Sequence, residues 1–205
     1  MLSAVLTVTM LVGCGDSMEA GRREETRKDR GHKETRREEQ ETEESVESKA
    51  TMMTDVRKVL NRDLSNDYPP TPREVIGYYV EIEKCFYSDS TTTEELEQLS
   101  IKARELFDAD LLAVNDEENY LTNLLEDVQR FKDDGRRIVS VSVASSVNVD
   151  TFQEDGYEFA RLSCVYDIID NDITEQVGIV YLLRRDENRF WKIYGWDNVE
   201  SINVQ

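Results

Sequence analysis

Residues 139–168 read VSVSVASSVNVDTFQEDGYEFARLSCVYDI, and this stretch decides the fold. Val139, Val141, Val143, Val147 and Val149 alternate with mostly polar residues. Successive side chains of an extended chain point to opposite faces, so a period of two predicts a half-buried strand. Asp155-Gly156 supplies a two-residue hairpin turn. Ala160, Leu162, Cys164, Tyr166 and Ile168 then line one face of the next strand. Beyond it, Asp170-Asn171-Asp172 turns the chain again. Residues 173–183 are apolar on both faces and are expected at the covered centre of a sheet. Residues 185–188 make the last turn, and 190–196 form an aromatic-rich final strand.

Working back from that stretch, the period becomes 3.6. Leu121, Leu124, Leu125, Val128 and Phe131 form the stripe of a helix that starts near Asn115, with Glu118 three residues on. Thr92-Thr93-Glu94-Glu95 announces an earlier helix with Leu96, Leu99, Ala103 and Leu106 on one face. Thr71-Pro72-Arg73-Glu74 opens another, because Thr71 can cap, Pro72 suits the first helical position and Glu74 completes a capping box. Its stripe is Val75, Tyr79, Ile82 and Phe86. Met53, Val56, Leu60 and Leu64 predict a short helix from near Thr54, ended by Tyr68-Pro69-Pro70-Thr71-Pro72, which holds all three prolines. Helices followed by antiparallel strands predict an α+β domain over residues 51–205. Three N-terminal helices are expected to pack on a curved antiparallel sheet of about four strands. A domain of about 155 residues buries roughly 70% of its chain surface, so it needs no staple.

The first 50 residues are of another kind. Residues 2–13 are an uncharged run rich in Leu, Val and Ala, too short to span a bilayer and suited to the apolar part of an export signal. Nothing basic precedes it within residues 1–9, so the natural start is expected upstream. Residues 15–50 hold 9 Lys or Arg and 12 Asp or Glu, and between Glu19 and Glu44 the only aliphatic side chain is Ala20. That composition cannot offset the entropy of ordering, and it predicts a charged, disordered tether. His32, the single histidine, lies in it.

The formal net charge of −19 argues against nucleic-acid binding, which needs clustered bases on phosphates. One histidine and three cysteines leave no His/Cys metal cluster, and no phosphate-binding or dinucleotide glycine pattern occurs, so no cofactor or metal is expected. Cys85 and Cys164 have two readings, a disulfide permitted by export or two buried thiols. Carboxylate chemistry is what remains. Asp197 shares strand parity with Trp191 and Ile193, and Asp167 with Val165 and Ile169, which makes both candidates for an inward acid whose pKa burial would raise. With so many acids, solvated strand-end carboxylates are the plainer reading. Tyr78, Tyr79, Tyr166, Tyr181, Trp191 and Trp196 are candidates to line a pocket, or simply core packing.

Leu11-Val12-Gly13-Cys14 resembles the lipobox of bacterial lipoproteins, which implies lipidation of Cys14 and a place on the extracytoplasmic face of a bacterial cell membrane. The element order resembles the cone-shaped nuclear transport factor 2-like fold. The strings Tyr68-Pro69-Pro70-Thr71-Pro72-Arg73-Glu74-Val75, Ala103-Arg104-Glu105-Leu106-Phe107-Asp108 and Trp191-Lys192-Ile193-Tyr194-Gly195-Trp196 resemble a family of uncharacterised bacterial proteins, chiefly clostridial, over residues 52–200. Many relatives of the fold carry a strand between the second and third helices, and only residues 111–114 are placed to supply one. The fold implies either a small-molecule pocket or a dimerising module. The expected function is a membrane-anchored domain that binds a partner protein or a small apolar ligand. The alternatives are an isomerase- or cyclase-like enzyme with an inward carboxylate and a homodimeric structural module without ligand.

Overall fold

A computed structural model of the chain describes residues 56–171 and 173–199. The expected signal, Cys14, the tether and His32 lie outside the described residues. Residues 56–60 are helical and bury Val56 and Val59. Helix α1 (Pro72–Phe86) starts as its sequence dictates. The Thr71 hydroxyl accepts from the Glu74 amide at 3.3 Å, and the Glu74 carboxylate accepts from the Thr71 amide at 3.2 Å. Helix α2 (Thr93–Arg104) opens on the same reciprocal pair, made by Thr92 and Glu95. Both boxes lie within four consecutive residues, so local sequence alone sets them.

Two helical features differ from expectation. Residues 111–114 are not a strand: they belong to helix α3 (Ala109–Val114), capped by Asp108, whose carboxylate accepts from the Asp110 amide at 2.9 Å. Helix α4 (Glu117–Asp133) is capped by Asp116 and not Asn115, because the Asp116 carboxylate accepts from the Asn119 amide at 3.0 Å.

The strands are β1 (Arg137–Val143), β2 (Asp150–Glu154), β3 (Tyr157–Asp170), β4 (Ile173–Arg185) and β5 (Trp191–Val199). They form one curved antiparallel sheet of five strands in the order β1-β3-β4-β5, with β2 also paired to β3. The strand expected over 139–149 stops at Val143, and a second strand begins only at Asp150. A single 3₁₀ turn at Ser146–Asn148 breaks it, where the Asn148 amide donates to the Ser145 carbonyl at 2.9 Å. Fourteen-residue β3 is long enough to pair β1 at one end and β2 at the other. The hairpin at Asp155-Gly156 takes positive φ at both residues, 50° and 82°. β4 is interior in the sheet, as expected, but residues 173–176 are exposed and not covered.

Inward-facing Ala160, Leu162, Cys164, Tyr166 and Ile168 of β3 meet Ile179, Tyr181 and Leu183 of β4, Ile193 of β5 and the buried side of α1 in one core. Completely burying one such aliphatic side chain contributes about 1.5–3 kcal/mol. Cys85 and Cys164 are both buried thiols. Arg184 on β4 fastens the start of α3 to the sheet. Its guanidinium donates to both oxygens of buried Asp108 and to Asp110 at 2.8 Å, between the rings of Tyr157 and Tyr194, each 4.8 Å away. Along β5, Phe107 bridges Ile193: the Asp108 amide donates to the Ile193 carbonyl and the Ile193 amide to the Leu106 carbonyl, each at 2.8 Å. No helix among the described residues is long and apolar enough to cross a membrane.

Candidate functional site

Glu83 is the carboxyl that reaches the core. It sits one helical turn after Tyr79 on α1, inside the stripe that runs Val75, Tyr79, Ile82, Phe86. Its Oε2 accepts from the hydroxyl of Tyr166 on β3 and from that of Tyr181 on β4 at 3.3 Å. The two hydroxyls lie 2.8 Å apart. The Tyr79 hydroxyl also bonds the carboxyl, and Tyr120 on α4 is hydrogen-bonded to Tyr79. Hydroxyls from two helices and two strands therefore converge around one acid. Burial raises the Glu83 pKa to about 7, and the tyrosine hydrogen bonds, which favour the carboxylate, only partly offset it. Burial also pushes the four tyrosines upward and the Cys164 thiol to about 12, with the Glu83 charge adding to the shift of each. The hydroxyls are thus donors near neutral pH and not nucleophiles, and so is the thiol.

The space beside Glu83 is occupied. The Tyr79 ring lies 5.8 Å from Phe107, 5.9 Å from Tyr181 and 6.2 Å from Trp196. Trp196 in turn lies 6.0 Å from Phe107 and 6.2 Å from Tyr181, and Tyr120 stands edge-on to Phe107 at 5.5 Å. These separations are those of directly packed rings.

Of the residues singled out as pocket lining, Tyr79, Tyr166, Tyr181 and Trp196 come together here. Tyr78 does not. Its hydroxyl donates to the Val59 carbonyl at 2.7 Å under the Arg62 guanidinium. Trp191 packs under Arg185 at the far end of β5, where its carbonyl accepts from Tyr68. Neither acid singled out from parity reaches the rings. Asp167 faces outward and accepts from Ser140 and, at 2.8 Å, from Gln176, and these bonds hold its pKa below the usual carboxylate value. Asp197 is exposed and pairs across to Val180. A bulge between Leu182 and Leu183 shifts the β4–β5 register, so Trp191 and Ile193 point inward while Asp197 two turns of the pleat later points out. Glu83, Phe107 and Tyr120 were not legible from strand parity. The available signal was an acid four residues after Tyr79 on an otherwise apolar helix face.

The opposite face of the sheet has a different character. Ser142, Val143, Ala144, Ser163, Val165, Val180 and Val199 line an open concavity of about 360 Å³, and none of them is charged. A second cleft of about 200 Å³ lies between residues 56–60 and α1, with Lys58, Glu81 and Lys84 on its rim. Among the described residues no group of three or more His, Cys, Asp or Glu is arranged to hold a metal ion.

A family model described as Domain of unknown function (DUF6715) matches residues 34–196. No curated protein matches the chain.

Proposed function

The chain belongs to the DUF6715 family, and from that premise we propose that it is a lipid-anchored extracytoplasmic domain that binds a partner protein through the uncharged concavity on the outer face of its sheet. The observation that carries the reading is the filled interior. Tyr79, Phe107, Tyr181 and Trp196 pack on one another beside Glu83, which leaves the outer face, with Val165, Val180 and Val199, as the apolar surface available to a ligand. Helices followed by a curved antiparallel sheet support a nuclear transport factor 2-like cone, a fold used both for pockets and for interaction, in a variant whose residues 111–114 are helical where many relatives carry a strand. The Leu11-Val12-Gly13-Cys14 quartet supports the anchor, and the acidic chain suits a tethered domain repelled by anionic lipid.

A photo-cross-linking residue at Val165, with exposed Val114 as control, tests the site in cells that export the full chain. A discrete adduct from Val165 alone, of a mass other than twice the chain, is expected. Absence of any Val165 adduct, together with stoichiometric binding of a small apolar probe that Tyr79→Ala abolishes, overturns it in favour of an interior pocket. The anchor is tested by the mass of the mature N-terminus, where an unmodified residue or cleavage away from Cys14 refutes it.

Glu83 supports a second reading, a proton-transfer enzyme, because a carboxyl titrating near neutrality beside hydroxyl donors suits general acid–base work. Acceleration of deuterium exchange at a carbon acid, lost in Glu83→Gln, would establish it.

A further inference from the structure

Strand β1 ends the sheet order, and among the described residues no strand neighbours the other side of its backbone. None of its seven residues is buried, whereas β3 buries Phe159 and every second residue from Ala160 to Ile168. It also lacks the usual guards of an edge. Residues 138–149 contain no charged side chain and no proline, the longest uncharged run within residues 51–205 of a chain that is 34% charged. Two guards are present: the bulge between Ile138 and Ser140, which leaves Val139 55% exposed and the run from Ser140 onward regular, and Arg73, whose guanidinium donates to the Ala144 carbonyl at 3.1 Å at the end of that run.

We propose that β1 is the edge through which two copies of this chain pair, antiparallel about a two-fold axis at Ser142, so that their sheets become continuous. The regular run Ser140-Val141-Ser142-Val143-Ala144 is self-complementary about its centre. In that pairing Val141 stands opposite Val143 of the second copy, Ser142 opposite its own equivalent and Ser140 opposite Ala144. Branched side chains meet on the inner face and small ones on the outer face, which is the match an antiparallel pair needs. A closed two-fold interface requires such a self-matching patch. Charge selects the same place. Residues 51–205 carry a net charge of −16, so two copies repel over most of their surfaces, and the uncharged run is where they approach with no like charges opposed. The neighbouring strand on that side, β2, carries Asp150 and Glu154 and offers no such approach.

The edge and the concavity share Ser142, Val143 and Ala144, so the two readings are told apart by their readouts: the mass of the chain reports pairing through β1, and a Val165 adduct of a mass other than twice the chain reports a different partner. Sedimentation equilibrium of the full chain, kept unlipidated by Cys14→Ser, is expected to give twice the 23.8 kDa of one copy. Ser142→Lys places two ammonium groups across the axis and is expected to return the mass to one copy with unchanged far-ultraviolet circular dichroism. Val147→Lys, at an exposed position of the same run outside the strand, is expected to leave the dimer intact. Ser142→Cys is expected to form a reducible covalent dimer under mild oxidation, since directly opposed Cβ atoms lie about 4.5–5.5 Å apart. A single-copy mass for the chain carrying only Cys14→Ser overturns the inference, and so does a dimer that survives Ser142→Lys or a Ser142→Cys chain that does not cross-link.

Discussion

The inner face of the sheet and its free edge are opposites in composition and in cost. On the inner face a single carboxyl, Glu83, is enclosed by Tyr79, Tyr120, Tyr166 and Tyr181, and hydroxyl contacts surround it. On the edge, residues 138–149 carry no charge in a chain otherwise dense with it, and they present Val139, Val147, Ser142, Ser145 and Ser146 to solvent while the other apolar residues of the run lean on the core. A half-buried carboxyl held among tyrosines makes stability depend on protonation. An apolar strand left exposed makes stability depend on what covers it. The first is a property of the lone chain and the second of its company, so the two respond to different perturbations.

The largest effect is expected inside. Tyr79→Ala removes a ring that contacts Phe107, Tyr181 and Trp196 and also a hydroxyl bonded to Glu83. Truncating a buried aromatic costs about 3–5 kcal/mol, and urea unfolding monitored by tryptophan emission should show it. A loss below about 1 kcal/mol would mean that the interior is not packed as described.

Next comes Glu83→Gln, whose effect changes with pH. The folded pKa of Glu83, about 7, lies above its ordinary value of 4.5. The fold therefore disfavours the ionised form. The unsubstituted chain has its full Glu83 contribution below about pH 4.5 and loses stability as pH rises through 7. The difference corresponds to about 3 kcal/mol at most. Glu83→Gln should flatten that slope and be the more stable protein at pH 8, with little difference at pH 4. Parallel slopes in thermal melts across this range would remove Glu83 from the account.

A smaller loss is expected at the fastening between α3 and β4. Asp108→Asn weakens the two-oxygen contact with Arg184 while keeping the shape, and should cost about 2 kcal/mol in denaturant titration. The smallest is Asp197→Asn on the outer face, expected within about 0.5 kcal/mol in the same titration. A loss above about 2 kcal/mol would return Asp197 to the interior and break the contrast between the faces.

What could be read in the sequence follows the range of the forces involved. The starts of α1 and α2 were legible because Thr71 with Glu74 and Thr92 with Glu95 close their capping boxes locally. The hairpin at Asp155-Gly156 was legible for the same reason. The break at Ser146–Asn148 was not, since alternating valines continue through it and only the length of β3 shows that two partners share it. Parity left Asp197 open to either face because the bulge at Leu182 and Leu183 belongs to the pairing of two strands and leaves no mark in either; the exposed position is the solvated carboxylate that was the plainer reading. Glu83 escaped because a search for apolar periodicity passes over the acid within the stripe, and its partners Tyr120, Tyr166 and Tyr181 lie 37, 83 and 98 residues away along the chain.

The bridge from Phe107 to Ile193 has a consequence for growth. A sheet open at both margins adds copies without end, as a fibre does. Here the β5 margin is stapled at Ile193 by the segment from Leu106 to Asp108, and farther along it bears the charge of Asp197. One margin is sealed and the other is adhesive, so assembly through β1 terminates at two copies. Cutting the staple, and not strengthening the sticky strand, is the change that would convert the proposed pair into a polymer.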